Sequence, residues 1–258
     1  MNSKLSAPPV PESMGRVRVV LSRTSHPGNI GAAARAMKTM GFTRLVLVDP
    51  QCAPDAQAVA MASGADDVLT GAATVATLEE ALSGVTLALA LTARRRDLAT
   101  EPCWARAGAA RLAEVAASAA EIALVFGNET SGLSNEELAR CGCWAMIPAN
   151  PEYSSLNLAA AVQLMCYELR LALLAVPPAL TLPNAGVPAT HDDVAGLLAH
   201  FEAAAVDSGF LDPEQPGRLM LRLRRLFARA GLEKEEVNIL RGLLASFARP
   251  TRKRHLAE

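Results

Sequence analysis

Ile147-Pro148-Ala149-Asn150-Pro151-Glu152-Tyr153-Ser154-Ser155-Leu156-Asn157-Leu158-Ala159-Ala160-Ala161-Val162 joins the end of an apolar run to the beginning of a long apolar helix. Pro148 and Pro151 stiffen the approach, because the pyrrolidine ring fixes φ. Two serines and an asparagine then crowd the first helical turn. Ser154 by itself reads as an N-cap. Ser155 and Asn157 exceed what capping needs, and polar groups at the start of a buried helix must find partners.

Upstream, Val125-Phe126-Gly127-Asn128-Glu129-Thr130-Ser131-Gly132-Leu133-Ser134 repeats the arrangement. A buried strand opens into a loop whose two glycines let the backbone approach a ligand, with a carboxylate between them. Further upstream, Ser25-His26-Pro27-Gly28-Asn29-Ile30-Gly31-Ala32-Ala33-Ala34-Arg35-Ala36-Met37-Lys38 follows another strand. Pro27, Gly28 and Asn29 make a tight turn, Asn29 reads as a cap, and Gly31 with three alanines permits close helix packing. The helix N-terminus suits a phosphate, although an ordinary small-residue βα turn looks the same. The G-x-G-x-x-G dinucleotide fingerprint is absent. Arg35, on an otherwise apolar helix, is left unexplained by packing.

Between these segments, short β-branched runs alternate with helical periodicity. Strands are expected at Val17–Leu21, Leu45–Val48, Val85–Leu91, Ile122–Phe126 and Trp144–Ile147, and helices at Ile30–Met40, Ala53–Ser63, Leu78–Ser83, Trp104–Ala119, Asn135–Arg140 and Ser155–Leu174. That alternation predicts an α/β fold with a mainly parallel sheet and helices on both faces. Pro177, Pro178, Pro183, Asn184, Gly186 and Pro188 then exclude regular structure. The expected organisation is a disordered tail over 1–14, a sheet domain over 15–176, a proline-rich linker over 177–189 and a small all-helical domain over 190–258. In the last, Thr190 with Asp193 resembles a capping box opening His191–Asp207, Asp212-Pro213 starts a helix over Glu214–Ala230, and a third helix begins at Leu232.

Of the 258 residues 51% are hydrophobic, yet no apolar run reaches the length of a membrane span. The N-terminal stretch lacks the apolar core of a secretion signal. Five cysteines, Cys52, Cys103, Cys141, Cys143 and Cys166, show no paired zinc spacing, so reduced thiols in a cytoplasmic protein without a structural metal are expected. The net charge is only −1. From Pro216 onward, however, eleven Lys and Arg face four Asp and Glu, leaving the body before it acidic. Such asymmetry suits a polyanion-binding appendage, or a helix with a solvated arginine face. Arg218, Arg222, Arg225 and Arg229 fall on one helical stripe, suited to an RNA backbone or to pairing with the acidic body. With 4% aromatic residues, a stacking-based single-strand binder is disfavoured.

The three segments, read as N-x-G-x-x-x-R, F-G-N-E-x-x-G-L and I-P-x-N-x-x-x-S-L-N in this order after strands, resemble the motifs of the SPOUT superfamily, the TrmH-type RNA ribose methyltransferases. The pieces S-H-P-G-N-I-G, A-R-A-M-K-T-M-G and N-P-E-Y-S-S-L-N-L-A are similar to those of TrmJ-type tRNA enzymes, which methylate the 2′-hydroxyl of nucleotide 32 in the anticodon loop. The resemblance covers about Arg16 to Leu174. It implies a C-terminal trefoil knot in the sheet domain, a homodimer whose active site draws on both chains, and S-adenosylmethionine held by Leu91, Thr92, Ala93, Gly127, Ile147, Ser154, Ser155 and Leu156. It implies a catalytic set of Asn29, Arg35, Glu129, Ser155 and Asn157, with Arg35 and Arg96 on the RNA; the four-arginine stripe is expected there from its spacing alone. His26 and Glu129 are the groups a general base would call for, and Arg35, always protonated, suits phosphate binding or alkoxide stabilisation better. A related enzyme acting on ribosomal RNA or another tRNA position, and a catalytically silent RNA-binding factor, stay open as alternatives.

Overall fold

The structure, a computed structural model, describes residues 11–93, 102–175, 186–214 and 217–247. The chain divides into two compact units, Met1–Leu182 and Pro183–Glu258.

The first unit is a three-layer α/β/α sandwich. Seven strands, β1 (Val17–Ser22), β2 (Arg44–Val48), β3 (Ala73–Val75), β4 (Val85–Leu91), β5 (Cys103–Trp104), β6 (Glu121–Phe126) and β7 (Cys143–Met146), form one sheet in the order β3-β2-β1-β6-β4-β7-β5. Every pairing in it is parallel. The period of two sorts side chains by size. Leu21, Leu45, Leu47, Leu89, Leu124 and Phe126 point to the face covered by α1 (Pro27–Thr39), α5 (Ala105–Ala117) and α7 (Leu158–Ala175). Val20, Val46, Ala88, Ala90, Ala123 and Val125 point to the other, under α4 (Leu78–Leu82) and α6 (Asn135–Arg140). Strands buried on both faces are apolar throughout, which is why their runs are continuous in the sequence.

Two further helices, α2 (Ala56–Ala62) and α3 (Asp66–Thr70), lie beside α1. Gly31 makes the α1–α2 contact possible: a Cβ there would sit 1.9 Å from the carbonyl oxygen of Ala58. At the N-terminal end of the sheet, Glu121 of β6 accepts hydrogen bonds from Arg18 of β1 and Arg44 of β2. Burial raises its carboxyl pKa, but the two guanidinium groups outweigh that and hold it below the usual range.

Several boundaries differ from expectation. β3, β5 and α3 are too short and too exposed to carry a periodic signal. Residues Glu12–Arg16 form a 3-10 turn whose Met14 is buried, so the end of the stretch expected as a free tail joins the core. Residues 1–10 of that tail lie outside the described residues. Helix α1 begins at Pro27 with His26 at the N-cap position, so Asn29 is a helical residue and not the cap. Helix α7 begins at Leu158; Ser155, Leu156 and Asn157, expected inside it, form its non-helical approach together with Ser154, expected as its cap.

The described residues of the second unit form three helices, α8 (His191–Asp207), α9 (Leu219–Ala230) and α10 (Lys234–Phe247), around a small core of Leu197, Leu198, Phe227 and Val237. Thr190 and Asp193 form the capping box of α8. Asp212 accepts a hydrogen bond from the Glu214 amide in a turn, and α9 starts five residues later than Glu214, the position expected from sequence. Much of the expected linker lies outside the described residues. Its end does not link: Lys234 N donates to Val187 O, and Ala189 N to Leu232 O, which ties it to the helical unit.

Candidate active site

Strands β6, β4 and β7 are neighbours, and the loops leaving their C-terminal ends meet in one open cleft. Leu91, Thr92 and Ala93 enter it after β4, Gly127 with the loop to Gly132 after β6, and Ile147, Ser154, Ser155 and Leu156 after β7. These include all eight residues read as cofactor-binding. Phe126, Leu158 and Ala161 complete an apolar wall.

The backbone dictates Gly127. A Cβ there would lie 2.3 Å from both the carbonyl carbon of Gly132 and the amide nitrogen of Leu133. The loop folds back on itself through Gly132 N donating to Asn128 O at 2.8 Å, and Gly132 adopts φ +68°. Asn128 holds the fold in place. Its Oδ1 accepts from the amides of Thr130 (2.9 Å) and Ser131 (3.2 Å), and its Nδ2 donates to the carbonyl of Arg23 at 2.7 Å.

The three sequence segments are joined by one polar chain. Glu129 Oε2 accepts from both the amide and the hydroxyl of Ser25, each at 3.0 Å, and its Oε1 accepts from Asn29 Nδ2 at 2.9 Å. Asn29 Oδ1 in turn accepts from Asn157 Nδ2 at 3.0 Å. Asn157 Oδ1 accepts from the amides of Ala159 and Ala160, so Asn157 caps α7, the role read for Ser154. Burial raises the Glu129 pKa, but the donors from Asn29 and Ser25 more than offset it, and the carboxyl is held below its ordinary value. Glu129 is thus an ionised acceptor already supplied with donors, and a weak base.

Ser155 lines the cleft as an exposed residue, and Ser154 is half-buried beside it. Arg35 stands elsewhere: it is exposed on α1 and does not line the cleft of its own chain. His26 is exposed at the start of α1, with no capping bond from its side chain. Arg96 lies outside the described residues. Arg222, Arg225 and Arg229 share one face of α9, with Arg218 at its N-cap, opposite the face on which Met220, Leu223 and Phe227 meet the core of the helical unit. Among the described residues no group of three His, Cys, Asp or Glu side chains is arranged to hold a metal ion. None of their helices is long and apolar enough to cross a membrane.

Ser25 and Asn128 were missed in the sequence. A signal for Asn128 exists, since an asparagine two residues before a flexible Thr-Ser pair favours a turn bonded to its own side chain. Ser25 has no local signal; only the fold brings it to Glu129, 104 positions away.

Residues 16–167 match the SpoU rRNA methylase family, and residues 192–256 match the C-terminal domain of the tRNA methyltransferase TrmJ. A tRNA (cytidine/uridine/adenosine-2′-O-)-methyltransferase TrmJ of Pseudomonas aeruginosa is 49% identical over 240 residues, which is 90% of this chain and 93% of the relative. The crystal structure of TrmJ from Z. mobilis is similar with a TM-score of 0.78 at 30% identity, covering 90% of this chain and 99% of the other. That of a methylase family protein from Neisseria gonorrhoeae gives 0.69 at 42%, covering 75% and 98%. With more than half of its length matched by the one family and nine-tenths shared with the relatives, this chain belongs to the SpoU methylase family, among the TrmJ-type 2′-O-methyltransferases.

Proposed function

We propose that the chain transfers a methyl group from S-adenosylmethionine to a ribose 2′-hydroxyl of tRNA, at cytidine or uridine 32 of the anticodon loop. The observation that carries this reading is the cleft at the ends of β6, β4 and β7, which gathers the eight residues expected to hold the donor. Its make-up fits that group. Leu91, Phe126, Ile147 and Leu158 offer apolar wall to an aromatic base, while Thr92, Ser154 and Ser155 offer polar atoms to a ribose and an amino acid. Gly127 leaves bare backbone where any Cβ would be excluded. Bound there, S-adenosylmethionine supplies a methyl group activated by its positive sulfur.

The chain's own residues then act mainly by positioning. Glu129, Asn29 and Asn157 spend their polar groups on one another, which suits them to hold three loops in register better than to move protons. Ser155, exposed on the cleft, is suited to orient the ribose. Arg35 holds the target phosphate or stabilises charge developing on the ribose oxygen. Because it is absent from its own chain's cleft, it reaches the reaction from a second copy. Leu164, Tyr167, Leu171 and Leu174 make an exposed apolar stripe along α7, which supports a homodimer. The family resemblance is what supports a trefoil knot at the C-terminal part of the sheet domain. We assign 190–258 to tRNA binding through the arginine face of α9, and the enzyme to the cytoplasm, where its substrate is.

Mass spectrometry of nuclease-digested tRNA from a deletion strain tests the reading: ribose methylation at nucleotide 32 is lost, and the purified protein with S-adenosylmethionine restores it. Unchanged methylation there overturns the position. Arg35→Lys is expected to lower kcat at least tenfold, since lysine lacks the planar fork; near-full activity would remove any need for that geometry.

A further inference from the structure

Tyr153 is 80% exposed, although the turn that leads into it is braced. Pro148 and Pro151 fix φ on the way in. Tyr153 N donates to Asn150 O at 2.9 Å, closing an antiparallel bridge, and Asn150 Oδ1 accepts from Glu152 N at 3.1 Å. Ser154, Ser155 and Leu156, which follow it directly, line the cleft. A large ring is therefore presented to solvent on a stiff turn beside the expected methyl-donor site. Among the described residues no packing in its own chain accounts for it; Phe126 and Trp144 are buried in the sheet, and Tyr153 is more exposed than Tyr167 at 46%.

A ribose that delivers its 2′-hydroxyl to this cleft brings its base to the rim. A base of a single-stranded loop that is splayed out at that rim is stabilised by stacking on an aromatic face. Tyrosine offers such a face with only two side-chain torsions to order. Low overall aromatic content disfavours a multi-ring single-strand binder and leaves room for one ring serving one base.

We propose that Tyr153 is the stacking platform for the base of the nucleotide whose ribose is methylated, a substrate-binding residue that grips the base by its face and so tolerates different bases. The proposal rests on the methyl-transfer reading given above.

The test uses the full-length protein and tRNA transcripts carrying C, U or A at the target position. Tyr153→Ala is expected to raise KM for tRNA by about 10- to 100-fold, the loss of one base–aromatic stack. The factor should be similar for each base, with S-adenosylmethionine affinity by calorimetry unchanged within about twofold. Tyr153→Phe, which keeps the ring, should restore KM to within about threefold of wild type. With 2-aminopurine at the target position, wild-type protein quenches the fluorescence of the extruded base and Tyr153→Ala leaves it bright. An unchanged KM in Tyr153→Ala overturns the proposal. So does a Tyr153→Phe as impaired as the alanine variant, a defect confined to one base, or a parallel loss of cofactor affinity. If wild-type protein methylates none of the transcripts, the functional reading fails first, and that outcome is distinct from a methylating enzyme indifferent to Tyr153.

Discussion

The loop cluster of the first unit and the arginine face of the second handle polar groups in opposite ways. Around Glu129, donors and acceptors are matched to one another: Ser25, Asn29 and Asn157 leave little free for a ligand. On α9, the guanidinium groups of Arg222, Arg225 and Arg229 stand opposite the helix's packed face. Matched groups fix geometry to a fraction of an ångström; unmatched charge gives long-range attraction that salt screens. A methyl transfer needs the first and capture of a polyanion needs the second. Both can exist in one chain because they reside in separate compact units.

The contrast is broken most severely at Gly127. Gly127→Ala drives a methyl group into the backbone of Gly132 and Leu133, so the loop must move. A displacement of about 1 Å is enough to cost on the order of 100-fold in rate. We expect kcat/KM to fall at least that far, with cofactor affinity falling in step and circular dichroism unchanged. Retained cofactor affinity would mean that the loop does not hold the donor.

Replacing Arg218, Arg222, Arg225 and Arg229 together by Gln tests the other side. Affinity for tRNA should drop roughly 10- to 100-fold at physiological salt, and the slope of log K against log salt should flatten by about one for each phosphate that is no longer neutralised. Cofactor binding should not change. An unaltered slope would assign those arginines to solvent.

Asn157→Ala removes the α7 cap and the bond to Asn29 at once. Loss of the cap alone costs about 1 kcal/mol, readable as a lower denaturant midpoint at constant slope. Asn157→Asp retains the acceptor but loses the donor, and should recover the stability without recovering the rate. Recovery of both would reduce the residue to a cap.

The smallest effect is with pH. The Glu129 carboxyl has its folded-state pKa below its unfolded one. Its contribution to stability is therefore complete above the unfolded value of about 4.3 and is lost as pH falls through the folded value. The difference in Tm between wild type and Glu129→Gln should be constant from pH 7 down to about 5 and shrink below that. A difference that persists undiminished in acid would mean that ionisation of Glu129 does not matter to the network.

The parallel sheet was legible because buried strands such as Val85–Leu91 and Glu121–Phe126 read as continuous apolar runs between helical periods. Short edge strands were not: Ala73–Val75 and Cys103–Trp104 hold their places through pairing partners far away in sequence, not through their own pattern. The cleft residues were legible as loops after strands, and the motif resemblance picked them out residue by residue. Their roles were less so. Ser154, read from its own position as a cap and from the resemblance as a cofactor residue, borders the cleft, while the cap of the helix is Asn157. A helix start is ambiguous in sequence whenever several cap-competent residues stand in a row, because the choice depends on which of them is needed elsewhere.

By itself the sequence determined the alternation of strands and helices, the polar loops at strand ends, the basic helical appendage and, through its motifs, the kind of enzyme this is. These follow from local periodicity and from residue types whose backbone preferences are intrinsic. Tertiary structure alone decided that Ser25 and Asn29 meet Glu129 across about a hundred residues, that Arg35 lies outside its own chain's cleft, and that Tyr153 faces solvent. Such pairings depend on the order of strands in the sheet, which no local preference encodes.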